Sequence, residues 1–318
     1  MVSVAIRFSR DFKWEDRRIE RLKRDFPQVT WTIWQGETDE AEWLRDVEAL
    51  IGEPTDEGLA AMPKLRWIQW PWAGVEALAG FSRLRDDIVV TNASGVFGTQ
   101  GAEHALALML AFARRLHVYV RQQERAVWKT AGSCREIRDS TVLVLGLGDI
   151  GSEVAARAKA LGAHVIGVKR SVAGKPPFVD ELVGPEDVDR VIGRADFVVN
   201  ALPLTRETER FVSAGRIAAM KRGAVFVNVG RGATVDEEAL VRALEGGHLD
   251  GAGLDVTERE PLPADHPFWR LPNVILTCHT MSLSPKKEDR REKLIRDNLT
   301  RFLAGEPLMN VVDRKRGY

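Results

Sequence analysis

Along the chain, short apolar runs alternate with segments whose apolar positions recur every three or four residues. Runs of the first kind form strands and segments of the second kind amphipathic helices. The pattern predicts a strand over 2–8, a charged surface helix over 16–26 and a strand over 29–34. A helix over 39–50 follows, with Trp43, Leu44 and Val47 on one side. Pro54, Gly58 and Pro63 then break the chain before strands at 65–70 and 88–91. Residues 102–120 are helical and apolar nearly all round, which demands burial within a domain or against another subunit. This helix runs on into the charged segment 121–125 and Trp128. Further on, strands are expected at 142–145, 164–168, 197–200, 225–229, 253–256 and 274–277, with helices at 186–192, 214–220 and 237–244. A charged helix over 285–302 closes the pattern, carrying Leu294, Ile295, Leu299 and Phe302 on one face. Such alternation describes an α/β chain, with a small unit in the first hundred residues and a doubly wound parallel sheet after it.

One strand-to-helix junction carries a motif. Val142–Leu145 is followed by Gly146-Leu-Gly148-Asp149-Ile150-Gly151, with Ile150, Val154, Ala158 and Leu161 at helical spacing behind it. Glycines also serve ordinary turns, but a strand before G-x-G-x-x-G and a helix after it describe a dinucleotide-binding unit. The first glycine permits the tight turn, the second lets the backbone approach a pyrophosphate, and the third lets helix and strand pack closely. The helix N-terminus adds free N–H groups and the positive end of its dipole.

The next strand ends Gly167-Val-Lys169-Arg170-Ser171, without the carboxylate that would take a ribose 2′-hydroxyl. Two cations and a hydroxyl suit a 2′-phosphate instead, since a guanidinium grips it bidentately or stacks on the adenine. A solvated basic loop would read the same way in isolation. Downstream of the glycine motif, the cofactor expected is NADP in preference to NAD.

Composition narrows the rest. A length of 318 residues suggests two domains, and 44% hydrophobic with 29% charged residues is ordinary for a globular protein. Lys plus Arg equals Asp plus Glu at 46 each, so no dedicated nucleic-acid surface is expected. Two cysteines, Cys134 and Cys278, suit a reducing compartment and have no metal-knuckle spacing, so no metal is expected. Charges at Arg7, Arg10 and Asp11 interrupt any apolar leader, and no stretch approaches a membrane span. A cytoplasmic protein with no membrane partner is the expectation. Among nine tryptophans, Trp67 and Trp70 read as core, while Trp72, before Ala73-Gly74, reads as a wall of a small pocket.

Three later segments carry reactive groups after predicted strands: Val227-Asn-Val-Gly230-Arg231, Leu254-Asp255-Val-Thr-Glu-Arg-Glu260-Pro, and Asn273-Val-Ile-Leu-Thr-Cys278-His279. With the glycine motif, with Trp72-Ala-Gly-Val75, with Gly101-Ala-Glu-His104 and with Leu202-Pro-Leu-Thr205, they resemble the D-isomer-specific 2-hydroxyacid dehydrogenases from about Trp67 to about residue 310. The basic 169–171 segment looks most like the NADPH-using glyoxylate/hydroxypyruvate reductase branch. The resemblance implies two Rossmann-like domains with a cleft between them. A flavodoxin-like substrate domain would span 1–102 and 284–318, and a doubly wound dinucleotide-binding domain 103–283. It implies a homodimer through the 103–128 helix and arm. It also implies that Arg231, Glu260 and His279 form the catalytic set. Reducing a 2-oxo acid needs a cation for the carboxylate and carbonyl, which Arg231 supplies. A proton for the ketone oxygen would come from His279, oriented and kept protonated by Glu260. Cofactor contacts fall to Gly146, Gly148, Asp149, Ile150, Gly151, Lys169, Arg170, Ser171, Leu202, Pro203, Thr208 and Gly230, with Asp255 holding the nicotinamide carboxamide. Substrate contacts fall to Trp72, Ala73 and Gly74.

Two departures stand out. Cys278 occupies the place of the family's proline before the histidine, and Thr280-Met281-Ser282 that of its small residues. The histidine's role is expected to survive them, with Met281 reshaping the pocket. Of the other histidines, His104 is expected to pack at a helix start, while His117, His164, His248 and His266 have no motif context. The competing class is a redox-inactive, nucleotide-sensing binding protein on the same fold, which loss of Arg231, Glu260 or His279 would have favoured. Zinc-dependent dehydrogenase chemistry lacks a Cys/His ligand set.

Overall fold

Runs such as Val142–Leu145 and Phe197–Asn200 are buried along their whole length, as parallel strands are when helices cover both sheet faces. The structure, a computed structural model, describes residues 1–34 and 42–318. In chain order its elements are β1 (Val2–Arg7), α1 (Asp16–Asp25), β2 (Val29–Trp34), β3 (Ala49–Gly52), α2 (Asp56–Ala61), β4 (Trp67–Gln69) and β5 (Val89–Thr91). Then come α3 (Gly98–Ala113), α4 (Leu116–Gln123), β6 (Thr141–Leu145), α5 (Asp149–Ala160), β7 (His164–Val168) and β8 (Glu181–Val183). They are followed by α6 (Val188–Val191), β9 (Phe197–Asn200), α7 (Ala214–Ala219), β10 (Val225–Asn228), α8 (Glu237–Glu245), β11 (Gly251–Leu254), β12 (Val274–Leu276) and α9 (Lys287–Ala304). Two compact units result, Met1–Val96 with Ser284–Tyr318, and Phe97–Leu283. The division falls a few residues ahead of the 102/103 boundary read from the sequence, because α3 begins at Gly98 and packs on the second sheet and α5.

The first unit is a five-stranded sheet in the order β2-β1-β3-β4-β5, every pair parallel. That is the flavodoxin-like doubly wound order. Ala5, Leu50, Ile68 and Val90 face one core, and Val4, Ile6, Ile51 and Trp67 the other. Strand β3 corrects the helix expected over 39–50. Residues 39–41 lie outside the described residues, Glu42–Asp46 is a single 3-10 turn, and Ala49–Gly52 pairs with both β1 and β4. From the tail, Asn298 on α9 donates its amide to Gln69 Oε1 at 2.9 Å, and Thr91 donates its hydroxyl to the same oxygen at 3.0 Å. All three side chains are buried, so this mutual satisfaction is what makes their burial tolerable.

The second unit is a seven-stranded parallel sheet ordered β12-β11-β10-β9-β6-β7-β8. Counted within the unit this is the 3-2-1-4-5-6 Rossmann order with one further strand, and the order reverses between β6 and β9. Strand β8, with only Glu181, Leu182 and Val183, was not anticipated. Ser213 and Asp236 cap α7 and α8 by accepting the N–H groups of Arg216 and Ala239, contacts worth ~1 kcal/mol each. The helix expected over 102–120 is two helices. It breaks at Arg115, whose φ of 59° is left-handed, although no glycine or proline marks the spot. Ala102, Ala105, Leu108, Met109 and Phe112 are buried, whereas Leu110, Leu116, Val120 and Trp128 are exposed.

Candidate active site

The turn after β6 stands at the point where strand order reverses, where open α/β sheets take their ligands. Gly146 has φ of 92°, which a side chain would strain. A methyl at Gly151 would overlap the Gly146 carbonyl oxygen, so α5 packs on the turn only with glycine there. A methyl at Gly148 would meet nothing within 4 Å, which leaves open space beside the first turn of α5. A glycine cradle with free space above a helix start fits a pyrophosphate. Asp149 opens α5, but its carboxylate accepts the Phe97 N–H at 3.3 Å, so toward a cofactor it offers backbone. Ile150, half-buried behind it, packs against the core that α3 and α5 share.

Lys169, Arg170 and Ser171 are exposed beyond β7, and Arg170 lies 3.8 Å from Glu207. The opposite wall of the turn comes from β9 and β10. A methyl at Gly230 would sit 2.6 Å from the Leu202 carbonyl oxygen, and one at Gly146 would sit 3.1 Å from Leu202 Cδ2. Pro203 is exposed beside them. Thr208 donates its hydroxyl to the Pro203 carbonyl at 2.6 Å and accepts the Thr205 N–H at 2.8 Å. These bonds shape the 202–208 loop, where a cofactor contact is expected of Thr208.

Arg231 is carried on a loop that buried amides hold. The Asn228 side chain accepts the Gly230 N–H at 3.0 Å and donates to the Arg231 carbonyl at 3.2 Å. Asn200 donates to Asn228 Oδ1 at 3.0 Å and to Thr234 Oγ1 at 2.7 Å. None of these three supports was singled out in the sequence, although an asparagine ending each of two adjacent buried strands was the available signal.

His279 and Glu260 meet, Nδ1 to Oε2, at 2.8 Å. The Thr257 N–H reaches the other carboxylate oxygen at 3.1 Å and fixes the plane of the carboxylate. The hydrogen bond to Glu260 raises the His279 pKa above its ordinary value, against burial and the nearby Arg231 charge. Burial opposes ionisation of Glu260, but the bonds from His279 and Thr257 and the charges of His279 and Arg231 hold its pKa below the usual carboxylate range. Behind them, burial pushes the Glu237 carboxyl up to about 7, helped by the charges of Glu258 and Glu260 and opposed by the Glu258 N–H it accepts.

Asp255, to which the resemblance gives the nicotinamide carboxamide, directly follows β11. Its side chain is fully buried, and its oxygens accept the Thr277 hydroxyl (2.6 Å) and the N–H groups of Thr280 (2.9 Å) and Met281 (3.1 Å). The carboxylate is therefore occupied by the His279 loop. Met281 is buried against the α3 side of the core, and Cys278 is exposed and unbridged.

In the first unit, the Trp72 indole donates to Glu53 Oε1 at 2.6 Å, with the Arg291 guanidinium 5.1 Å from its ring. The Ala73 carbonyl accepts from the Asn92 amide at 2.9 Å and the Gly74 carbonyl from the Trp70 indole at 2.8 Å.

Residues 106–281 match the family model described as D-isomer specific 2-hydroxyacid dehydrogenase, NAD binding domain. A glyoxylate reductase of Korarchaeum cryptofilum is 33% identical over 286 residues, covering 86% of this chain and 85% of the relative. A D-isomer specific 2-hydroxyacid dehydrogenase of Xanthobacter autotrophicus Py2, solved with NADPH and MES, superposes with a TM-score of 0.87 at 30% identity over all of both chains. An NADPH-dependent glyoxylate/hydroxypyruvate reductase of Sinorhizobium meliloti, solved with NADP and sulfate, gives 0.85 at 27% identity, again over all of both chains.

Proposed function

The chain belongs to the D-isomer-specific 2-hydroxyacid dehydrogenases, and from that premise we propose that it reduces a small 2-oxo acid of the glyoxylate or hydroxypyruvate kind with NADPH. The observation that carries this reading is the Glu260–His279 pair at 2.8 Å, its histidine pKa raised and its carboxylate pKa lowered. Such a pair holds a proton on the imidazole to higher pH than a free histidine would, ready for a ketone oxygen. Arg231, whose charge acts on both partners, grips the substrate carboxylate and polarises the carbonyl. When bound, the nicotinamide supplies or accepts the hydride. Gly146, Gly148 and Gly151 cradle the pyrophosphate, and Leu202, Pro203 and Gly230 wall the turn. Lys169, Arg170 and Ser171 hold the 2′-phosphate, in keeping with the NADPH and NADP of the two solved relatives. Trp72, Ala73 and Gly74, all in the first unit, contact the substrate.

The chain works as a cytoplasmic homodimer in this reading, joined through the 103–128 helix and arm, where Leu110, Leu116, Val120 and Trp128 stand exposed. A nucleotide-sensing protein without turnover would have no use for the charged pair, which disfavours that alternative.

The test is a pair of pH–rate profiles, one for each direction, in wild type and Glu260→Gln. Removing the carboxylate lowers the His279 pKa. Reduction, which needs the imidazolium, should lose activity at lower pH than in wild type, and oxidation, which needs the neutral ring, should begin at lower pH. A reductive limb that stays in place in Glu260→Gln would contradict the acid role.

A further inference from the structure

His279 sits at φ 54°, a left-handed conformation that a residue with a side chain reaches at a cost. Something must hold it there. Its own N–H donates to the Asp255 carbonyl at 2.8 Å, and the next two N–H groups donate to the two oxygens of the Asp255 carboxylate. Asp255 thus clamps three successive residues, and its orientation decides where the imidazole points. A hydroxyl and a second imidazole reach that carboxylate from the other side. The Thr277 hydroxyl lies 2.6 Å from Asp255 Oδ1, and His104 Nε2 lies 3.0 Å from Thr277 Oγ1 and 3.5 Å from Oδ1.

The order of protons follows from the donor inventory. A carboxylate only accepts, so the single hydroxyl proton of Thr277 goes to Asp255. Thr277 Oγ1 must then accept from His104, which requires the proton on Nε2. His104 lies on α3, a scaffold helix whose Gly101 backs closely onto Ile150 and Met281. Through this chain helix α3 is tied to the end of β12, beyond which His279 stands. Nothing in the catalytic chemistry uses His104, and half-buried packing alone would not need a ring nitrogen aimed at a hydroxyl.

We propose that His104 is a positioning residue for His279: its Nε2–H, relayed through the Thr277 hydroxyl to the Asp255 carboxylate, holds the 279–281 backbone where the imidazole meets Glu260. The proposal rests on the reductase reading for its catalytic meaning, but its geometry can be tested without turnover. The charged groups that act on His279 are Glu260 and Asp255, from the loop after β11, and Arg231, from the loop after β10. Loosening the clamp moves the ring away from the first of them, whose hydrogen bond is the largest influence holding its pKa up.

The experiment is imidazole ¹⁵N NMR on the cofactor-free protein across pH, with His104→Leu, His104→Gln and Thr277→Val beside wild type. In wild type, His104 should show a proton on Nε2 while its Nδ1 is bare. His104→Leu and Thr277→Val should lower the His279 titration midpoint, while His104→Gln, whose amide keeps a donor, should retain most of the wild-type value. In steady-state reduction, His104→Leu should lower kcat roughly tenfold or more, the scale of a misplaced catalytic group, with the KM for the 2-oxo acid little changed. Rescue of kcat by His104→Gln separates positioning from loss of packing. An unmoved His279 midpoint in both His104→Leu and Thr277→Val overturns the proposal, as does equal behaviour of His104→Leu and His104→Gln. Should His104→Leu not fold, Thr277→Val alone decides it. A moved midpoint in a protein that reduces no 2-oxo acid upholds the positioning and overturns the reductase reading instead.

Discussion

Glu237 accepts the Glu258 N–H at 2.7 Å and so anchors the loop that carries Glu260. Its side chain is mostly buried, and its pKa rises from 4.5 to about 7. A carboxyl raised in the folded state means that the native protein keeps a proton which the unfolded chain has released. The resulting stabilisation is complete below about pH 4.5 and is lost as pH rises through about 7. Glu237→Gln keeps an acceptor for the Glu258 N–H and removes the charge. It should match wild type in thermal stability at pH 5 and exceed it at pH 8 by ~1–3 kcal/mol. Equal melting temperatures at both values would show that the carboxyl is not raised. Glu237 carried no motif in the sequence, whereas Arg231, Glu260 and His279 drew notice through the joint pattern of motifs that carries the family resemblance. His104, Thr277 and Asp255 were not legible as one chain of hydrogen bonds. They lie on or beside three separate elements, and only the fold brings the His104 ring of α3 within 3.0 Å of the Thr277 hydroxyl beyond β12.

At the scale of elements, the β6–turn–α5 unit does most to position the chemistry, and its three glycines answer to three distinct demands of the backbone. In the proposed function the basic end of β7 supplies the selectivity for NADPH. Arg170→Ala should weaken NADPH binding by ~1.5–3 kcal/mol, the worth of a charge-assisted hydrogen bond, and leave NADH binding nearly unchanged. Calorimetric titration with each nucleotide reads this directly, and equal losses for both would remove Arg170 from the 2′-phosphate. Strong apolar runs such as 142–145 and 225–227 announced their strands. The short ones did not. Ala49–Gly52 lies at the end of a segment with helical spacing, and Glu181–Val183 is only three residues with one buried. At Arg115 a left-handed residue divides α3 from α4, and an apolar stretch without glycine or proline gave no local sign of the break.

At the scale of the whole molecule, the buried side of α3 belongs to the second unit's own core, while Leu110, Leu116, Val120, Val127 and Trp128 remain exposed. Large exposed apolar side chains this close in sequence call for a partner surface. Light scattering at micromolar concentration should give twice the 35.5 kDa chain mass, and a monomer would contradict the homodimer. No helix among the described residues is long and apolar enough to cross a membrane. In the proposed function the assembled chain transfers hydride from NADPH to a small 2-oxo acid. Its most direct test follows the oxidation of NADPH and of NADH with glyoxylate, hydroxypyruvate, pyruvate and phenylpyruvate, in wild type and His279→Ala. Turnover of glyoxylate or hydroxypyruvate is expected, faster with NADPH, with a loss of ~10²–10⁴ in His279→Ala, the span of general acid catalysis. Absence of oxidation with every acid, or full turnover in His279→Ala, would contradict it.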